Sequence, residues 1–213
     1  GALFLGGFYV EFIPRSPWYA PGWEALACLA WIHLLDAGLR AGARHPAALS
    51  AVRVAAGVVV LAQAGLLGAT AWEMRVQQRI VEEGGRREIG RWLRANAGAG
   101  DRVFLEPLGY IGFYSGLKML DYPGLASPEV VAARRAGRRS FAQIVAALQP
   151  DWLVLRPDEV EGMRDEAPAL FARTYRLARV FDVRPALARV VLLPGRGYPE
   201  FDAVFDVYRR VGS

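Results

Sequence analysis

The sequence predicts a membrane α-helical segment followed by an α/β domain whose sheet is mixed, mostly parallel and covered by helices on both faces. Three observations lead there. Val54 to Trp72 runs for nineteen residues without an ionisable side chain. The composition changes near Trp72, from very apolar over residues 1–72 to ordinary, arginine-rich globular sequence over 73–213. Beyond Asp101, strand-like and helix-like stretches alternate, the pattern of an α/β layer fold.

A helix of nineteen residues spans ~28 Å, close to the ~30 Å hydrocarbon core of a bilayer. Arg53 precedes the run, and Trp72, Glu73 and Arg75 close it, an aromatic-then-charged boundary of the interfacial kind. The competing reading is a helix buried in a soluble core. A core of this size seldom needs so long a stretch apolar on every face.

Upstream, Ala2 to Ile13 reads as the last part of a spanning helix already under way or as a re-entrant piece, and the chain is expected to be the carboxy-terminal part of a longer protein. The segment from Pro14 to Pro21 holds three prolines in eight residues and reads as a membrane-surface loop carrying Trp18 and Tyr19. Gly22 to Leu39 is a second candidate span, weakened by Glu24, His33 and Asp36. Arg40 to Arg53 is a basic loop without an acid, which the positive-inside rule assigns to the cytoplasm. The apolar helix then runs outward. The expected location is the bacterial inner membrane, multi-pass, with residues 73–213 extracytoplasmic.

Glu73 to Ala95 has an intermittent apolar face and reads as a helix that Gly84-Gly85 would break. Strands are expected at Arg102–Glu106, Lys118–Asp121, Trp152–Arg156, Arg176–Val183 and Ala203–Arg210, with an extra one at Arg189–Leu193. Ser127 followed by Pro128 and Glu129 marks a helix start, as does Ser140. The first three strands are expected to pair in parallel and the last two to form an antiparallel edge.

Composition narrows the function classes. The net charge is +5, with Lys118 the only lysine. The arginines are dispersed and never interleave with aromatics as in a single-strand binder, so nucleic acid is not expected as a partner. One cysteine, Cys28, and two histidines, His33 and His45, are too few for a His/Cys zinc site. No Walker A or GxGxxG motif occurs. No cofactor is evident from these residues.

Glu106 and Asp121 end successive predicted strands, where open α/β sheets place ligands. They are candidates for acid-base work or a cation, or else they cap loops and pair with arginines. Tyr110, Phe113, Tyr114 and Tyr122 form either an aromatic platform for sugar rings or lipid tails, or a core cluster. The acidic run Asp158, Glu159, Glu161, Asp165 and Glu166 reads as a solvated helix face.

Three stretches carry a family resemblance: SPWYAP, REIGRWLRANAGAGDRVFLEPLGYIGFYSGLKMLDYPGLASPEV and QPDWLVLRPDE. Their order resembles the carboxy-terminal end of bacterial GT-C type integral-membrane glycosyltransferases, the mannosyl-, arabinosyl- and related enzymes that use polyprenyl-phosphate sugars. The resemblance implies a set of spanning helices followed by an external α/β domain, with membrane lipid, a polyprenyl-phosphate-linked sugar and a glycan, lipid or protein acceptor as partners. It also implies that the catalytic Asp, and any divalent cation, belong to a first external loop that this chain lacks. No catalytic residue is carried over. Trp18 and Tyr19 match the family's membrane-surface loop. Trp18, Tyr19, Glu106, Tyr110, Tyr114 and Asp121 are the substrate-binding candidates. A membrane-anchored glycan-binding or assembly module without chemistry is the alternative.

Overall fold

The computed structural model describes residues 20–42, 46–193 and 195–211. The chain divides into two compact units, Gly1–Gly68 and Ala69–Ser213.

In the first unit, helix α1 covers Ala20–Gly42 and helix α2 begins at Pro46, running to Val76. Helix α1 therefore extends through Arg40, which pairs with Asp36 one turn earlier. The charges of that turn partly neutralise each other. The basic connection between the helices shortens to 43–45, which lies outside the described residues, as do Trp18, Tyr19 and the proline-rich loop before α1. One described helical run, Leu49–Asn96, is long and apolar enough to cross a membrane, with none of its most apolar window buried.

Gly84-Gly85 does not break the helix. Instead α2 passes into a π-helix over Gln77–Arg86, which passes into α3, Arg87–Asn96. Buried Val81, Glu82 and Gly85 hold this segment against the domain, and that packing outweighs the glycines' weak helix propensity.

The α/β domain then unfolds in order: β1 Arg102–Leu105, α4 Leu108–Ser115, β2 Lys118–Asp121, α5 Pro128–Arg135, α6 Phe141–Leu148, β3 Trp152–Leu155, α7 Pro157–Glu166, α8 Pro168–Thr174, β4 Tyr175–Asp182, α9 Arg184–Ala188, α10 Gly197–Phe201 and β5 Val204–Arg210. The sheet order is β2-β1-β3-β5-β4. β1 pairs in parallel with β2 and β3, while β5 pairs antiparallel with β3 and β4. Strands β1 to β4 thus run in one direction and β5 runs against them, so the sheet is mixed. No strand forms at Arg189–Leu193, which follows α9 as irregular chain.

Alternation along the strands builds two cores. Phe104, Leu120, Leu153, Leu155 and Tyr208 face α5–α8. Val103, Leu105, Trp152, Val154 and Val207 face α3 and α4. The connection through α4 moves from β1 outward to β2, and the one through α5–α6 moves back past β1 to β3. Opposite directions with one crossover hand place the helices on opposite faces.

Candidate site at the carboxyl ends of β1 and β3

The winding of the sheet reverses between β1 and β3, and the carboxyl ends beside such a reversal are where open α/β sheets receive ligands. Glu106 follows β1 there and Arg156 follows β3. Arg156 precedes Pro157, the first residue of α7, and its backbone N–H donates to Glu159 Oε2 at 2.7 Å, so the acid three residues on closes the helix start.

The Arg156 side chain is 5% exposed and ties three carboxylates. Its Nε donates to Asp202 Oδ1 at 2.6 Å, Nη1 to Glu159 Oε1 at 2.7 Å and Nη2 to Glu106 Oε2 at 2.6 Å. Its face lies 4.5 Å from the Phe201 ring centre, a cation–π contact. Asp202 also accepts from Arg86, and Arg86 bonds Glu82. Burial pushes the carboxyls of Glu82 and Glu159 above their ordinary range, against the pull of their arginines. Burial also works against the charge on Arg156, but Asp202, Glu159 and Glu106 more than offset it and hold the guanidinium firmly protonated.

Beside this network lies a groove of about 330 Å³, lined by Met74, Gln77, Gln78, Glu82, Arg86 and Tyr110. The π-helix makes it. At about 4.4 residues per turn, Gln77 and Arg86 are two full turns apart and share a face. At the ~3.6 residues per turn of an α-helix they would lie two and a half turns apart, on opposite sides. Gln78 Nε2 donates to the Tyr110 hydroxyl, which keeps its own proton to give. Gln77 bonds the Glu82 carboxylate. Arg86 Nε is buried without a partner.

Among the residues expected to bind substrate, Glu106 enters the ion network and Tyr110 lines the groove. Tyr114 packs 5.9 Å from Tyr110, ring centre to ring centre, and lies under Arg91. Asp121 is placed differently. It is 1% exposed and accepts from the backbone N–H of Leu125 at 2.5 Å and of Ala126 at 3.1 Å, and from the Ser127 hydroxyl. Its partners lie in the loop of residues 125–127, whereas Glu106 is bonded by Arg156. Ser127 caps α5 in position only, because its hydroxyl turns back to Asp121 and the Met119 carbonyl. Tyr122 leaves the aromatic group for the other core, 4.0 Å from the Phe141 ring centre. Phe113 is 78% exposed. Among the described residues no group of three or more His, Cys, Asp or Glu is placed to hold a metal ion. Trp18 and Tyr19 lie outside the described residues.

Arg156, Asp202, Arg86, Glu82 and the two glutamines are functional candidates that sequence reasoning passed over. Only Arg156 carried a local signal: an arginine that ends an apolar strand and precedes Pro-Asp-Glu.

A comparison with curated proteins finds no match, and neither does one with solved structures. Residues 70–201 match a family model described as a domain of unknown function, DUF8728, and as that is more than half of the 213 residues, the chain belongs to this family.

Proposed function

We propose that this chain is the carboxy-terminal part of a bacterial GT-C type membrane glycosyltransferase, which moves a sugar from a polyprenyl-phosphate donor to an extracytoplasmic glycan, lipid or protein acceptor. The α/β domain assists acceptor binding through the π-helix groove. The observation that carries the membrane part is the exposed apolar surface of α2, with Leu61 73% and Leu67 71% exposed. In water that surface would be a heavy liability; in lipid it costs nothing. The sequence resemblance supplies the transfer chemistry.

The groove suits a sugar hydroxyl, which both donates and accepts. Its two amides, one carboxylate and one phenol offer both roles. Its volume is at the small end of ligand sites, enough for a single ring. No acid or base is assigned in this domain, since each carboxylate of the Arg156 network is held by an arginine. That engagement favours the second reading as well: a membrane-anchored glycan-binding module without chemistry.

One experiment separates the two. The full-length protein is reconstituted in lipid with labelled polyprenyl-phosphate sugars and candidate acceptors. Label on acceptor supports the transferase. Glycan retention without transfer supports the module, and neither result would sink both.

A further inference from the structure

We propose that the turn at Val191-Leu192 is a second lipid contact, which rests on the surface of the bilayer beside the exit of helix α2. The inference depends on reading α2 as a membrane span.

Val191 and Leu192 are the most prominent apolar side chains of this region, 95% and 76% exposed. Their neighbours point the other way. Leu187 and Leu193 are buried with Val76, Val81 and Ala203, and Val190 packs against them. The chain here is therefore fixed by its inward residues while two adjacent aliphatic residues are held out into solvent. A loop free to choose would turn them in or carry polar residues there.

Two contacts tie this turn to the end of the apolar helix. The Trp72 indole Nε1 donates to the Leu192 carbonyl at 2.8 Å. Gly195, at φ +67, brings the chain back against Glu73, so close that a β-carbon would land on the Glu73 carboxylate. The left-handed backbone and the tight approach both suit glycine. Trp72 is itself 46% exposed and Met74 65% exposed. The turn thus extends the apolar surface of the helix sideways, at the residue whose indole sits at headgroup level in a spanning helix.

The surrounding charge fits the same surface. Arg189 flanks the turn and is exposed, as is Arg75 in the last turn of α2. Arginines beside an apolar tip meet anionic headgroups while the aliphatic side chains enter the interface. Arg196 donates to the carbonyls of Leu187 and Val190, which stiffens the turn from behind. Continuity with the helix selects lipid over a protein partner as the occupant.

The test uses the whole chain in vesicles of phosphatidylethanolamine and phosphatidylglycerol. In a Cys28→Ser background, single cysteines at Leu192→Cys, Val191→Cys, Leu61→Cys and Asp158→Cys carry an environment-sensitive fluorophore. Quenching by shallow nitroxide lipid, deep nitroxide lipid and aqueous iodide is then compared. The expected result is shallow-lipid quenching at 191 and 192 several-fold above that at 158, with deep quenching at 61. Iodide quenching at 191 and 192 equal to that at 158, with 61 still deep, overturns the lipid contact and leaves the span standing. Protection at 191 and 192 from both iodide and nitroxide shows a protein partner there and also overturns it. Iodide access at 61 overturns the span, and this inference with it.

Discussion

Arg156 and Glu106 meet at 2.6 Å across the gap between the carboxyl ends of β1 and β3. The contact joins fifty residues of sequence separation at the point where the sheet reverses its winding. It ties β1 to a guanidinium that β5 also reaches, because Asp202, just before β5, takes Arg156 Nε. One side chain thus joins carboxylates from three parts of the chain.

Replacing Arg156 should be the costliest single change in the domain. Arg156→Met leaves the nearly buried Glu159 without its cation and the nearly buried Asp202 with Arg86 alone, at an expected loss of roughly 3–5 kcal/mol. Arg156→Lys should recover little, because an ammonium cannot present three donors in fixed directions to three carboxylates. Thermal or denaturant unfolding of the full chain checks both; a loss below 1 kcal/mol for Arg156→Met would show that the network is not structural.

Stability against pH should show two opposed limbs. Glu82 and Glu159 have folded-state values raised above their ordinary 4.5, so the folded state binds more protons than the unfolded one in that window. Their contribution is full below 4.5 and lost as pH rises through the raised values. Asp151 behaves oppositely. Burial alone would raise it, but the Arg102 backbone amide and the Arg210 guanidinium hold it below its ordinary 3.8. Its contribution is present above 3.8 and lost as pH falls through the lowered value. Unfolding followed between pH 3 and 8 should show Glu159→Gln flattening the upper limb and Asp151→Asn flattening the acid limb.

Gly90→Ala should destabilise despite its helical position. Alanine gains up to about 1 kcal/mol in helix propensity. Yet its β-carbon would sit 2.8 Å from Tyr114 Cβ and 3.0 Å from the Ile111 carbonyl oxygen, where α3 presses on α4. Backbone cannot yield as a side-chain tip can, so overpacking of about 1–3 kcal/mol should win. A raised melting temperature in this variant would show that the two helices can separate without cost.

Asp121→Ala should cost about 2–4 kcal/mol, since the backbone N–H groups of Leu125 and Ala126 lose their acceptor, while the Ser127 hydroxyl keeps only the Met119 carbonyl. The change should leave glycan binding per folded molecule unaltered. Gln78→Ala and Tyr110→Phe should do the reverse: little loss of stability and roughly tenfold weaker acceptor binding, the equivalent of one good hydrogen bond. Calorimetry and a glycan-binding titration on the same preparations separate the two kinds of effect.

Much of this architecture is legible in the residues. Nineteen residues without a charge announce a helix that is apolar all round. The unbroken apolar run Trp152-Leu153-Val154-Leu155, buried on both sides, announces a central strand. Pro128 and Ser140 mark where helices begin. These signals are local, since they depend on backbone propensity and on the period at which apolar side chains recur. The π-helix carries no comparable signal. Its two glycines argue for a break, and only packing of Val81, Glu82 and Gly85 against the domain keeps the segment helical with a wider turn. The ion network is equally silent in sequence, as its members stand at 82, 86, 106, 156, 159 and 202. So the sequence by itself determined the five strands that form, where several helices begin and which surface is greasy. The tertiary structure alone decided which charges meet, because a carboxylate chooses its arginine through the order of strands in the sheet, and strand order is a property of the whole chain.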